Sequence, residues 1–320
     1  MRREGLLAFV AIAVAVCSVG KAFADVTPED EYKKKIRVSE EISPLGEHPF
    51  GERISTYNGG LTFLQADVTV VGTGPTISLA RSFRIPDLNP SYEYQEFITN
   101  ALVDWELETP RIETYSGPLT STTWTFLDTT QRCSSFSAMP DLTINGPHGT
   151  LVNYKSSEWW HGYQLHIDGN SQDLLFRDAS NTNSPQSVPA GMPTSYPIVT
   201  KDNWVVGCTA QTANGAPGQG FVALSPDGTR YWLDWLTYKN APTMNRDGGG
   251  ALHRRIAMML ASKIEDRFGN SISFTYDSKG NPTSVTGKDG RVVSLAYDTW
   301  QRPEKDVFGN YISPPSTRLR

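Results

Sequence analysis

The sequence predicts a mostly β chain: antiparallel hairpins that build a β-rich N-terminal domain and lead into a repeat sheet. Three observations carry that prediction. Short runs alternate apolar with polar residues, as in Ser271-Ile-Ser-Phe-Thr-Tyr276, where Ile272, Phe274 and Tyr276 share one face. These runs are separated by Gly, Pro, Asn and Asp, the residues that close tight turns. Towards the C-terminal end the chain repeats itself: Gly269 to Gly290 and Tyr276 to Tyr297 are each 21 residues apart. Two independent landmarks with one period near 20 mark a stacked array.

Taken in order, residues 1–24 read as an export signal. Arg2-Arg3 is the basic start, Leu6–Val19 the apolar run, and Ala22-Phe23-Ala24 the cleavage site, so the mature chain starts at Asp25. The run is short of the ~20 apolar residues of a spanning helix, and no later segment is apolar enough to span a bilayer. A lipid anchor would use Cys17, but Val16 stands where a small residue is wanted. The expected location is secreted, periplasmic or at the cell surface.

Residues 25–50 form a charged linker, with a short helix at Lys33–Glu41 ended by Pro44, Gly46 and Pro49. Residues 51–250 form the β-rich N-terminal domain. Leu61-Thr-Phe-Leu, Val68-Thr-Val-Val and Ile77-Ser-Leu read as hairpin strands. Residues 92–108 hold Tyr92, Tyr94, Phe97, Leu102, Trp105 and Leu107 and fit a strand or a helix. Thr122–Leu127, Leu151–Tyr154, Tyr163–Ile167 and Leu174–Phe176 alternate as strands do. Residues 179–220 are rich in Ser, Asn, Pro and Gly and read as a long irregular excursion with one apolar island at Trp204-Val-Val. Phe221-Val-Ala-Leu and Thr229–Leu236 make a hairpin around Pro226-Asp-Gly228. Residues 251–264 connect to the repeats. Ile256, Met259, Leu260 and Ile264 have near-helical spacing, yet the segment reads equally well as a strand.

Residues 265–320 hold two repeats and an incomplete third. Each unit reads as a hairpin. Asp266-Arg-Phe-Gly269-Asn270 and Asp277-Ser-Lys-Gly280-Asn281 are turns, since Gly and Asn tolerate positive φ and Asp bonds its own backbone. Asp289-Gly290-Arg291 opens the next strand, Val292–Tyr297, and Tyr297-Asp298 repeats Tyr276-Asp277. Each Tyr is expected to anchor its hairpin by ring packing with its hydroxyl at the rim, and each following Asp to cap the turn. A third unit starts at Asp306-Val-Phe-Gly309-Asn310. Tyr311-Ile-Ser-Pro314-Pro315 then interrupts it, because proline donates nothing to a sheet ladder. The array is expected to be cut short there.

Asp-x-x-Gly-Asn, Tyr-Asp-x-x-Gly-Asn, Val285-Thr286, Asp-Gly-Arg and Tyr-Asp together resemble the YD repeat of Rhs-type proteins, over about 266–310. Asn58-Gly-Gly-Leu-Thr-Phe-Leu-Gln-Ala-Asp67 and Gly72-Thr-Gly-Pro75 through Arg81-Ser-Phe83 are similar to the segment that opens many such proteins. The family usually continues Tyr-Asn-Ser after that arginine; here Ser82-Phe83-Arg84-Ile85 follows. Ser225-Pro-Asp-Gly228-Thr-Arg-Tyr231 resembles a hairpin often found ahead of the first repeat. The resemblance implies a β-sheet shell, with the rest of that shell, or a toxin or other cargo segment, as partner.

Charge and motifs exclude several other classes. The chain has 29 basic and 34 acidic residues; removing the leader leaves 26 against 33, a balance of −7. A nucleic-acid surface would be basic and clustered. Lys33-Lys-Lys35 and Arg254-Arg255 are the only dense basic runs and read as solvated charge. Cys133 and Cys208 are the cysteines of the mature chain. In an oxidising compartment they pair or remain as two buried thiols, and spacing does not decide between these. Neither has a second metal ligand at close spacing. His161 and His166, five apart, would fall on opposite faces of a strand. Gly215-Ala-Pro-Gly218-Gln-Gly220 lacks the lysine of a phosphate loop. Asp277–Asn281 lacks the later glutamate of a calcium loop. Asp168, Asp173 and Asp234 offer no pair to single out for glycoside hydrolysis.

No catalytic, cofactor-binding or metal-ligating residue is therefore assigned. The expected function is that of a non-catalytic shell segment of a secreted, toxin-related protein without its C-terminal effector. The alternative is a cell-surface module that binds surface polysaccharide through an exposed Trp159-Trp160-His161-Gly-Tyr163 platform. Burial of those rings in a β core is the competing reading.

Overall fold

The computed structural model describes residues 52–54, 61–84, 102, 105–117, 130–134, 139–177, 192–241, 243–246, 249–300 and 316–319. The export signal with Ala24 and Asp25, the linker 25–50 with Lys33–Lys35, Asn58, Tyr92, Tyr94 and Phe97, the run Thr122–Leu127 and the third unit Asp306–Asn310 lie outside the described residues. The described residues all belong to one compact unit, Phe50–Arg320.

The fold is mostly β and antiparallel. A four-stranded sheet runs β1 (Glu52–Ile54), β2 (Leu61–Val70), β3 (Ile77–Arg84), β4 (Glu106–Glu108) in order. Strand β5 (Arg111–Ser116) belongs to a larger sheet. Strands β6 (Leu142–Asn145) and β7 (Leu151–Tyr154) form a separate pair, followed by a one-turn helix, Ser156–Trp159. Strands β8 (Tyr163–Ile167) and β9 (Asn170–Asp173) form a hairpin closed by Asp168-Gly169, both at positive φ, which is Asp-Gly turn chemistry.

The main path of the twelve-stranded sheet then follows the chain: β10 (Leu175–Phe176), β11 (Ile198–Val199), β12 (Val205–Thr209), β13 (Gly220–Leu224) and β14 (Arg230–Asn240). Strands β15 (Met244–Asn245) and β16 (Ala251–Leu252) pair with each other. The path resumes with β17 (Arg255–Glu265), β18 (Ser271–Tyr276), β19 (Pro282–Gly287) and β20 (Val292–Ser294). Strand β21 (Tyr297–Trp300) pairs with β22 (Ser316–Leu319).

Strand β17 settles the open reading of Leu252–Ile264 in favour of a strand. It pairs with β14 on one side. Its other side is shared between β5, along Arg255–Leu260, and β18, along Lys263–Glu265. Protein covers both faces, so Ala257, Met258, Met259, Leu260 and Ala261 are all buried. A strand buried on both faces reads as a continuous apolar run, and such a run mimics helical spacing.

Other boundaries also move. The two short runs at Leu61 and Val68 are one strand, β2, with a bulge between Ala66 and Val68. The part of the irregular excursion that is described contains β11 and β12; β11 pairs with β10 and β12, and β12 also pairs with β13. The strand after Asp289-Gly290 ends at Ser294 rather than Tyr297. Ile112, Phe221, Leu233, Met259 and Val285 are fully buried in the main core, which also takes in Ile77 and Leu79 of the small sheet.

Candidate functional site: repeat turns, a joint and a cleft

The repeat turns share one geometry. In Asp266–Asn270 the Asp266 N–H donates to the Asn270 carbonyl at 2.9 Å and the Gly269 N–H to the Asp266 carbonyl at 3.2 Å; in Asp277–Asn281 the corresponding distances are 2.9 and 3.0 Å. Asp266 Oδ1 accepts from the Phe268 and Asn270 N–H groups, and Oδ2 from Asn270 Nδ2. Asp277 does the same with Lys279 and Asn281. The backbone pattern recurs at Ser225–Thr229 and Gly287–Arg291. Each turn has glycine in the fourth position. At Gly280 (φ 84°) a side chain would be strained and would also meet Thr237 on β14. Burial works to raise the Asp266 pKa, but hydrogen bonds from Asn270 and the turn backbone hold it below the usual range.

The 21-residue period is also a tertiary one. Tyr276 Oη donates to the Ala261 carbonyl at 2.6 Å and Tyr297 Oη to the Pro282 carbonyl at 2.7 Å, and donors and acceptors alike are offset by one period. The hydroxyl of Tyr276 is therefore not at the rim. It is buried, because the sheet continues past it and a backbone carbonyl takes the place of water. Burial, then the charge of Asp234, push its pKa well above the phenol's ordinary value. Its ring packs on Trp235, with centroids 5.1 Å apart.

Arg291 joins the second repeat to the N-terminal hairpin. Its Nη1 donates to the Val70 carbonyl at 2.6 Å and its Nη2 to the Pro75 carbonyl at 3.0 Å, while Nε lies 2.7 Å from Asp289 Oδ2. Asp289 Oδ2 also accepts from the Thr73 N–H at 3.1 Å. Those hydrogen bonds, Arg291's first, hold the Asp289 carboxyl below its usual range. The turn Gly72-Thr-Gly-Pro75 thus sits directly on Asp289-Gly290-Arg291. A β-carbon at Gly72 would collide with the guanidinium and the carboxylate, so the approach requires glycine.

A chain of charged groups makes a second tie between the two sheets. Ser82 on β3 donates to Glu108 on β4, and Arg111 Nη1 lies 3.4 Å from Glu108 Oε2. Arg111 Nε reaches Glu113 at 2.7 Å, and His166 Nε2 lies 3.0 Å from the other oxygen of Glu113. Lys239 pairs with Glu106. Arg111 and His166 are each 1% exposed. Burial works to raise the Glu106 pKa, but Lys239 and Arg111 prevail and bring it down to about 2. Burial likewise opposes ionisation of Glu113, and Arg111 and His166 hold it well below the carboxylate range. Composition gave no hint of this chain, because its members are ordinary charged residues until the sheets meet.

Between the hairpin β2–β3 and strands β14, β17 and β18 lies a cleft of about 660 Å³. Ala66, Gly74, Ser78 and Ala80 line one side; Tyr231, Ile264 and Ile272 line the other, with Asp168 and Asp266.

The remaining sequence candidates fall elsewhere. Cys133 and Cys208 form a disulfide with Cα atoms 5.5 Å apart. Beside it Arg132 donates to the Gln219 carbonyl at 2.6 Å and to that of Pro217, which fixes the glycine-rich loop. Trp159 is fully buried and Trp160 half-buried, with indole N–H groups on the Pro140 carbonyl and Thr114 Oγ1. Arg254-Arg255 is not solvated charge: both are buried, because β17 lies inside the sheet. Arg254 donates to the Trp159 carbonyl, and Arg255 stacks on Tyr238 at 3.9 Å. His161 precedes β8 and meets Tyr115 edge-on, while His166 points at Glu113. Asp298 lies on β21 opposite Arg318.

Among the described residues, no group of three or more His, Cys, Asp or Glu is placed to hold a metal ion, and no helix is long and apolar enough to cross a membrane. No protein-family model matches the chain, and no curated protein matches it.

Proposed function

We propose that this chain is a non-catalytic shell segment of a secreted Rhs-like protein, exported by residues 1–24, with the rest of the shell or a cargo segment as its partner. The observation that carries this reading is the continuity of the sheet. The repeat hairpins β18–β20 extend the same sheet as β10–β14, and the polar groups of the motif residues Asp266, Asn270, Asp277, Asn281, Tyr276, Asp289 and Arg291 are engaged with backbone or with one another. Strand β20 pairs only with β19 among the described residues, and its Val292 is exposed. An open edge of this kind accepts a further strand. The disulfide suits an oxidising compartment.

Static light scattering on purified 25–320 tests the proposal. Strand-edge association predicts oligomers or poor solubility; a clean, stable monomer overturns it. The alternative polysaccharide-binding module relied on exposed Trp159 and Trp160; Trp159 is buried and Trp160 is half-buried with its indole N–H on Thr114, which favours the shell reading. Quenching of tryptophan fluorescence by added polysaccharide would reverse that preference.

A further inference from the structure

Four arginines are buried among the described residues, and three of them have polar partners. Arg111 faces Glu106, Glu108 and Glu113. Arg132 donates to the Gln219 and Pro217 carbonyls, and Arg254 to the Trp159 carbonyl. Arg255 differs. It is 9% exposed, its Nε and Nη2 are buried without a hydrogen-bond acceptor, and no carboxylate among the described residues pairs with it. The Tyr238 ring lies against its guanidinium, 3.9 Å from Cζ to the ring centroid. A cation in this state is costly, because burial strips its water and no acceptor replaces it. The aromatic face offsets part of that cost. The N–H groups lie in the guanidinium plane, however, and the ring gives them no acceptor. Nε and Nη2 form one edge of that plane, and two parallel N–H groups on one edge match the two oxygens of a carboxylate.

Register shows where the group stands. Arg255 is the first residue of β17; its ladder partners are Asn240, the last of β14, and Ser116, the last of β5. The three share a face at one end of the main sheet, together with Tyr238. Two residues further along that face, Ala257 is fully buried. Ser116 is buried and Asn240 exposed, so the guanidinium stands where the core meets solvent and the Asn240 side is the way in. Arg254 adds no donor here, since it lies on the opposite face, over Tyr115. A single charge, one flat N–H edge and a ring beside it suit a planar monoanion better than a phosphate, whose charge and tetrahedral oxygens call for more donors.

We propose that this end of the sheet, where β5 and β14 finish and β17 begins, binds a carboxylate, with Arg255 Nε and Nη2 each donating to one of its oxygens. The carboxylate belongs to a free small acid or to an acidic side chain of a polypeptide, and the test separates these sources.

The isotope-labelled mature chain is titrated with sodium acetate against sodium chloride at constant ionic strength and followed by NMR. The Arg255 Nε–H resonance is assigned by its absence from Arg255→Lys and Arg255→Gln. Acetate is expected to move it saturably; acetamide, of the same shape without the charge, is expected to leave it in place. Arg255→Lys keeps the charge and loses the two-pronged edge, so its acetate affinity should fall about ten-fold. That fall is read from the acetate dependence of the melting temperature, which also shows that the variant is folded. N-acetylglutamic acid α-amide then replaces acetate. Tighter binding than acetate assigns a polypeptide side chain, equal or weaker binding a free small acid, and either result supports the site. No saturable shift with either carboxylate, an equal shift with acetamide, or undiminished acetate affinity in Arg255→Lys would each overturn the proposal.

Discussion

The turn at Asp277 and the joint at Arg291 are built from similar parts, a carboxylate and backbone groups, yet they differ in reach. Every hydrogen bond of the Asp277 side chain closes within four residues. Arg291 reaches across 216 and 221 residues to Pro75 and Val70. The first needs only partners inside its own five residues, which is why it is found at both Asp266–Asn270 and Asp277–Asn281 with almost the same distances. The second exists only when the N-terminal hairpin and the second repeat are both folded and in contact. Long-range ties should therefore govern the stability of the whole unit, and the turns should govern the local register of one hairpin.

The disulfide provides the largest test of that contrast. Its sequence separation is 75 residues. Replacing Cys133 and Cys208 with serine should cost about 4 kcal/mol by the loop-closure relation, read from urea unfolding. A loss no greater than that of a turn variant would break the contrast. Next is the buried charge chain. Glu113→Gln leaves Arg111 and His166 facing an uncharged partner and should cost about 3 kcal/mol.

The same groups set an acid limit. The folded-state pKa values of Glu106 and Glu113 lie below their unfolded values, so their contribution is fully present above pH 4.5. It is lost as pH falls from there towards about 2. Thermal melts between pH 6 and pH 2 should show this loss, and Glu113→Gln should flatten it.

Arg291→Ala should cost about 2 kcal/mol, as two backbone carbonyls lose a charged donor. Amide exchange should speed up at Thr73, whose N–H bonds to Asp289, before it changes in β18–β19. Equal acceleration in both regions would mean that the joint is not a separate unit. The smallest effect is expected for Asp277→Ala, about 1 kcal/mol, with faster exchange confined to Lys279 and Asn281. A larger loss than for Arg291→Ala would invert the ranking.

Much of the fold was legible in the sequence for reasons these regions make plain. Ile272, Phe274 and Tyr276 alternate inward as their period of two requires, and the Asp-x-x-Gly-Asn turns carry all their partners with them. Strand β17 was ambiguous because its sequence records burial on both faces but not which neighbours cause it. Strands β5, β6 and β9 went unread: β5 carries Arg111, Glu113 and Thr114 into the interior, and charged residues there break the apolar alternation that marks a strand. Of the candidate site, the repeat residues were found individually. That Asp289-Gly290-Arg291 holds Gly72-Thr-Gly-Pro75 was not, although both motifs had been singled out, because pairing across such a separation leaves no local trace.

The sequence by itself determined the β class, the 21-residue period and the repeat turns, because each depends on contacts within a few residues or on side-chain alternation. The tertiary structure alone decided that the Tyr276 hydroxyl is buried, that Arg111 and His166 share Glu113, and that Arg291 closes the joint. Those outcomes depend on which strands become neighbours. Only burial between them turns ordinary charged and hydroxyl side chains into fixed ties.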